Sequence, residues 1–189
     1  MPRAGLDADA VVAAAADLAD AEGLDAVTLS RLAAGLGVRS PSLYAHVDGL
    51  PDLRRRLAAR GARELAAELQ AAAAGRARGD ALAAIAGVYR AYAREHPGVY
   101  AALQRVANVE GSQAAAQLVE TIVAVLRGYG LEADEAIHAA RIVRAALHGF
   151  AALENGDGFG IDLDLDDTFA RLVTVLDQGL PYSRLARKK

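Results

Sequence analysis

The sequence predicts an all-α protein, and three observations carry that expectation. Hydrophobic residues fill 53% of the 189 positions while aromatic residues fill only 5%. Much of the apolar share is alanine, with few β-branched runs, a balance that favours closely packed helices. Apolar residues also recur at three- and four-residue spacings along most of the chain, the period of a one-sided helix. Finally, Gly23, Gly37, Pro97, Gly128 and Gly179 stand where apolar stripes end, as glycine and proline stops of helices do.

A net charge of −3 excludes a protein that is basic overall and leaves room for a local basic patch. The absence of cysteine excludes disulfides, thiolate metal sites and sulfur redox sensing. No basic stretch followed by an apolar run opens the chain, so no signal peptide is expected. No stretch reaches the roughly 18 uninterrupted apolar residues of a membrane span. A cytoplasmic protein without a membrane partner is the expectation.

In chain order, residues 1–6 form a short lead. Asp7 or Asp9 caps a first helix to about Glu22, with Val11, Ala15, Leu18 and Ala19 on its apolar stripe. Thr28 caps a second helix that buries Leu29, Leu32, Ala33 and Leu36. After the turn Leu36-Gly37-Val38, Ser40 is a good N-cap and Pro41 suits the first helical position. A two-turn helix is expected over Ser40–Val47, with Leu43 and Val47 on one face. Helix, tight turn and short helix make the layout of a helix-turn-helix whose second helix is offered to a DNA major groove. An ordinary helical corner in a bundle has the same layout. Charge favours DNA. Residues 1–25 carry Arg3 against six acids, whereas residues 26–60 carry six arginines against Asp48 and Asp52. Phosphate contact needs such a local surplus.

The run Thr28-Leu29-Ser30-Arg31-Leu32-Ala33, then Leu36-Gly37-Val38, then Ser40-Pro41-Ser42-Leu43-Tyr44-Ala45-His46-Val47 resembles the DNA-binding segment of the TetR family of bacterial transcriptional repressors. The resemblance implies an all-α homodimer, each subunit with an N-terminal three-helix DNA-binding domain and a larger C-terminal domain for dimerisation and effector binding. By position it implies that Thr28 caps its helix and touches a phosphate, and that Arg39, Ser40 and Ser42 face the groove. Tyr44 would reach the backbone or a base edge, and His46 would donate to a phosphate. The alternatives are packing for Tyr44 and carbonyl capping for His46. Many relatives place a phosphate-holding lysine where this chain has Leu50, so the anchoring is expected either to fall to Arg54 or Arg55 or to be weaker.

Asp48 can cap a long connecting helix over 49–73, in which Leu53, Leu57, Gly61, Leu65 and Leu69 march at four-residue steps. The Gly75–Gly79 stretch is the best internal boundary. Domains are therefore expected over 1–48 for DNA binding, 49–79 for the connector, 80–182 for effector binding and dimerisation, and 183–189 for a basic tail. Asp80 starts a helix with Leu82, Ile85, Tyr89 and Tyr92 in one stripe. Pro97 breaks it, and a further helical piece runs through Val99, Tyr100, Leu103 and Val106. Tyr89, Tyr92, His96, Tyr100 and Gln104 could line a mostly apolar cavity with a few polar handles for an unidentified small-molecule effector. The alternative is a core whose tyrosine hydroxyls reach the surface. Residues 113–127 are apolar on nearly every face and are expected to be central.

A helix over 133–154 shows Ile142, Ala145, Ala146, Gly149, Ala152 and Leu153 on one face, small enough for another helix to approach. A last helix over 166–178 adds Phe169, Leu172, Val173 and Leu176. Together they are read as a four-helix dimer interface. Leu147-His148-Gly149-Phe150 with Glu154 also resembles a TetR branch whose C-terminal domain carries a Trp-His-Gly pattern. Arg144 stands near the place of the tryptophan. Arg144 would suit an anionic effector, with His148 also placed in the effector site, or Arg144 reaches solvent or an acid. Between these helices, 155–164 is Gly- and Asp-rich and is expected to be a mobile loop.

No GxSxG, HExxH or P-loop is present, and Glu135-Ala136-Ile137-His138 lacks the second Glu-x-x-His that a di-iron bundle requires. Asp162, Asp164 and Asp166 lack the glycine and terminal glutamate of a calcium loop. Neither an enzyme nor a bound cofactor is expected. The sequence reads as a dimeric repressor that binds a near-palindromic, double-stranded operator and is released by a small molecule. A helical sensor without DNA binding is the alternative.

Overall fold

The computed structural model describes residues 6–105 and 113–180, with the side chains of residues 113–115 left out. Residues 1–5 of the expected lead, Val106, Pro181 and the tail over 183–189 lie outside the described residues. The elements within them are helical, as the sequence predicts.

Helix α1 (Ala8–Glu22) starts where Asp7 accepts the Ala10 N–H at 2.7 Å. It buries Val11, Val12, Ala15, Ala16 and Ala19, and stops at Gly23, whose φ of +88° closes the last turn. A short 3-10 turn at Leu24–Ala26 leads to α2 (Leu29–Gly35). Thr28 caps α2, its hydroxyl oxygen accepting the Arg31 N–H at 3.3 Å. Helix α3 (Ser40–Leu43) is half as long as the sequence suggests. Its cap position is Arg39, without a side-chain capping bond, so Ser40 does not cap it. The path tightens because Tyr44 and His46 donate to carbonyls only three residues back, those of Pro41 and Leu43. Leu43 and Val47 nonetheless stay buried on one side.

Helix α4 (Gly49–Ala73) buries the predicted Leu53, Leu57, Leu65 and Leu69. Asp48 does not cap it through its side chain. Its backbone N–H donates to Asp52 at 3.1 Å instead, so the acid one turn into the helix reaches back to satisfy the terminus. Helix α5 (Arg78–Glu95) buries Leu82, Ile85, Tyr89 and Tyr92, and α6 (Pro97–Arg105) follows after one residue.

Helix α7 (Gln113–Arg127) departs from the expected central helix: Ile122, Val125 and Leu126 are buried, but Val119 is 46% exposed. Its apolar residues run round the helix while the chain covers only one side. Helix α8 (Ala133–Asn155) and α9 (Leu165–Gly179) complete the order. Asp164 caps α9 by accepting the Asp166 N–H at 2.8 Å. Asn155, the last residue of α8, donates to the Ala93 carbonyl at 2.7 Å, and the segment that follows is tied to α8 where the Gly158 N–H reaches the Leu153 carbonyl at 2.7 Å and the Phe159 ring lies 4.9 Å from Phe150.

The described residues divide into two compact units, one within Met1–Arg63 and Glu95–Ala115, the other within Glu64–Arg94 and Ala116–Lys189. This division differs from the boundaries expected at 48 and 79. Inside the first unit α6 packs on α1: the Asp20 carboxylate accepts the N–H groups of Gly98 and Val99 at 2.9 Å each, and a Cβ on Gly98 would fall on the Ala19 carbonyl.

Candidate nucleic-acid interface

The α2–α3 turn is built by backbone bonds that only a left-handed residue allows. Gly37 has φ +67°, its N–H reaches the Ala34 carbonyl at 3.2 Å, and the Val38 N–H reaches Ala33 at 2.9 Å. That paired closure is a Schellman motif, and glycine is the residue that adopts it without strain. It fixes where α3 begins. Burial of Leu43 and Val47 then decides which side chains face out.

Arg39, Ser42 and Ala45 are exposed, and Tyr44 is 60% exposed, a large share for a tyrosine. Ser40 and His46 are half-buried beside them. Thr28 is half-buried and already occupied as a helix cap. Its oxygen accepts a backbone N–H, and it also shares a 3.2 Å hydrogen bond with the Ser30 hydroxyl.

The arginine surplus is partly engaged within the protein. Arg31 binds both oxygens of Glu22 at 2.7 Å. Arg55 and Arg56 reach Asp52 at 3.1 and 2.8 Å. Burial pushes the Asp52 pKa up, but the Asp48 N–H, the Arg56 hydrogen bond and the charges of Arg56 and Arg55 outweigh it and hold the carboxyl below its ordinary value. Arg54 is half-buried, with its Nε enclosed and unpartnered, whereas Arg55 is exposed. Asp52 and Arg56 were absent from the sequence-based site, although an acid followed by arginines three and four positions on is a readable helical pattern.

The residues expected to hold an effector fall in both units. Tyr89, Tyr92, Arg144 and His148 belong to the second unit, and His96, Tyr100 and Gln104 to the first. Tyr89, Tyr92 and Tyr100 are buried, and the Tyr92 hydroxyl donates to Glu64 at 3.2 Å. His96 lies 3.0 Å from Asp20 through Nδ1. Gln104 and His148 are half-buried, and Arg144 is exposed. Burial, then the Arg144 charge, lowers the His148 pKa. The second unit also has an open groove of about 720 Å³ between the end of α4 and α7, walled by Ala73, Val119, Val123 and Ile137, with Arg76 and Arg127 among its polar lining.

The residues read as a dimer face also divide. On α8, Ile142 is 56% and Leu153 47% exposed, Ala145 and Ala152 are exposed, and Ala146 and Gly149 are half-buried. On α9, Leu172 and Val173 are half-buried, while Phe169 and Leu176 are buried within the chain. Phe169 packs there against an ion-pair cluster that local sequence does not announce. Arg90 binds Glu154 through Nε at 2.8 Å and Asp166 through Nη1 at 2.8 Å, with its guanidinium 4.8 Å from the Phe169 ring and 5.2 Å from Phe150.

Comparison with known proteins bears on this geometry. Residues 82–176 match the profile of the family described as Tetracyclin repressor-like, C-terminal domain. An HTH-type transcriptional regulator of Mycobacterium tuberculosis is 40% identical over 181 residues, covering 94% of this chain and 83% of its own. The HTH-type transcriptional regulator YobS of Bacillus subtilis is 35% identical over 182 residues, covering 95% of each chain. The TetR family protein ActR of Streptomyces coelicolor, solved in complex with (S)-DNPA, superposes with a TM-score of 0.72 at 19% identity, covering 94% of this chain and 98% of that one. The last likeness is one of fold. No helix among the described residues is long and apolar enough to cross a membrane.

Proposed function

Because the chain belongs to the TetR family of transcriptional regulators, we propose that it is a dimeric repressor that grips a near-palindromic operator and lets go when a small molecule binds. One observation carries this: the Schellman turn and the burial of Leu43 and Val47 leave Arg39, Ser42 and Tyr44 all exposed on the α3 segment. In this reading Arg39, Ser40 and Ser42 meet base edges, and Thr28, Tyr44, His46, Arg54 and Arg55 meet the backbone. Two such heads in successive major grooves would lie roughly 34–36 Å apart. The effector is taken up in the second unit, by Tyr89, Tyr92, Arg144 and His148 or by the groove beside α7. A relative of the same fold is solved with a small molecule bound, which supports release by a ligand.

The test is a mobility-shift titration against the DNA flanking the protein's own gene, repeated across a salt series. Sequence-selective, salt-sensitive binding is expected. Equal affinity for the flanking DNA and for random duplex would overturn the operator reading. A ligand that binds with the same affinity in the presence and absence of operator would overturn the release mechanism, because coupling between sites is reciprocal.

A further inference from the structure

The opening turn of α4 lacks a cation: Gly49, Leu50, Pro51 and Leu53 are uncharged, and Asp52 is an acid. An anion is an odd residue to keep at the edge of a surface meant for phosphates. Asp52 is nevertheless 9% exposed, and both of its oxygens accept hydrogen bonds. Oδ1 accepts from Arg55 Nη2 at 3.1 Å, and Oδ2 accepts from Arg56 Nε at 2.8 Å and from the Asp48 N–H at 3.1 Å. The two arginine side chains stay 56% and 44% exposed. Each guanidinium commits one N–H to the carboxylate and keeps others to offer.

We propose that Asp52 is a positioning residue for DNA recognition, holding the guanidiniums of Arg55 and Arg56 so that their remaining N–H groups meet phosphate oxygens in a fixed register. A free arginine loses rotamer freedom when it binds, and ordering it beforehand removes part of that cost from the complex. The buried acid is covered by two cations, so the cluster as a whole stays positive. The inference rests on the DNA-binding role of the family and not on dimerisation or release.

Positioning and plain repulsion predict opposite signs. Asp52→Asn removes a negative charge, which by itself would strengthen binding to any DNA. If Asp52 positions the arginines, the same change weakens binding that depends on register. The experiment uses the full chain and two fluorescent duplexes of equal length: one selected by the wild-type protein from a random pool, the other unselected. For Asp52→Asn, affinity for the selected duplex is expected to fall about tenfold, the scale of one charge-assisted hydrogen bond. Affinity for the unselected duplex should hold or rise. On the selected duplex, the slope of log Kd against log salt should become shallower by about one, as when one phosphate is no longer neutralised. A second variant protects the test against a folding defect: Arg55→Lys with Arg56→Lys keeps the charge and removes the planar fork, and it should lose selectivity to a similar extent. Equal tightening on both duplexes by Asp52→Asn, or unchanged selectivity in the double lysine variant, would overturn the positioning role. If the wild-type protein enriches no duplex at all, the operator reading fails first and takes this one with it.

Discussion

Gly98 shows what a single missing side chain can hold together. It lies in the first turn of α6, where an added Cβ would strike the backbone of Ala19 on α1, and backbone cannot swing aside as a side chain can. Asp20 completes the junction by accepting the Gly98 and Val99 N–H groups and facing His96. Gly98→Ala is therefore expected to cost on the order of 2–3 kcal/mol, the scale of overpacking a tight interior. A drop in the urea midpoint at unchanged slope would register it. A wild-type midpoint would mean that α6 shifts freely on α1. Arg90 sets a different problem. Its partner Glu154 has only 11% of its side chain exposed, so Arg90→Ala strands a buried carboxylate and should cost about 3–5 kcal/mol. Adding Glu154→Leu should recover much of that loss. If the double variant is no more stable than Arg90→Ala alone, the energy lies in the packing of Arg90 on Phe150 and Phe169 and not in the ion pair.

At the scale of elements, α8 carries a prediction about pH. His148 titrates below its ordinary value because burial, then the Arg144 charge, disfavours the cation. A folded-state pKa below the unfolded one contributes stability above the unfolded value, about 6.5, that is lost as pH falls through the folded one. The wild-type protein should lose thermal stability as pH falls from about 7.5 to about 5.5, around that value, and His148→Gln should flatten that part of the loss. Parallel pH curves for the two proteins would remove His148 as the cause. The helices themselves were largely legible because their signals are local. Stripes at four-residue steps, the Asp7 and Thr28 caps and the glycine stop at position 23 place α1, α2 and α4 within a few residues. What local pattern could not show was decided at a distance. Asp20 meets a backbone 78 residues away, and Arg90 meets Glu154 64 residues away. No periodicity relates such positions, so the attachment of α6 to the first unit was not legible. Nor was the short α3, because a good start, Ser40-Pro41, says nothing about where the chain must turn to bury Val47. In the candidate interface, Tyr44 and Arg39 were readable from the motif, whereas the sharing of Asp52 between two arginines emerges only in the folded chain.

At the scale of the whole molecule, the proposed function depends on a second copy. The face of α8 that carries Ile142, Ala145, Gly149, Ala152 and Leu153 leaves two large apolar side chains about half exposed. A Cβ at Gly149 would meet nothing within 4 Å, so the space beside this helix is open. A two-fold interface uses the same patch twice, and one charge placed there therefore acts twice. Leu153→Glu with Ile142→Glu should shift the protein to monomer in sedimentation at micromolar concentration. Both side chains already reach solvent, so the melting of the single chain should change by no more than the loss of its partner requires. The DNA consequence follows from geometry. Two linked heads bind a palindrome with an effective concentration that separate heads lack, which raises affinity by about 10²–10⁴. The double variant should lose affinity for the selected duplex on that scale while keeping affinity for a single half-site. If it remains dimeric, the interface lies on another face. If it becomes monomeric and still binds the full operator as tightly as wild type, one head suffices and the palindrome is not read by a pair.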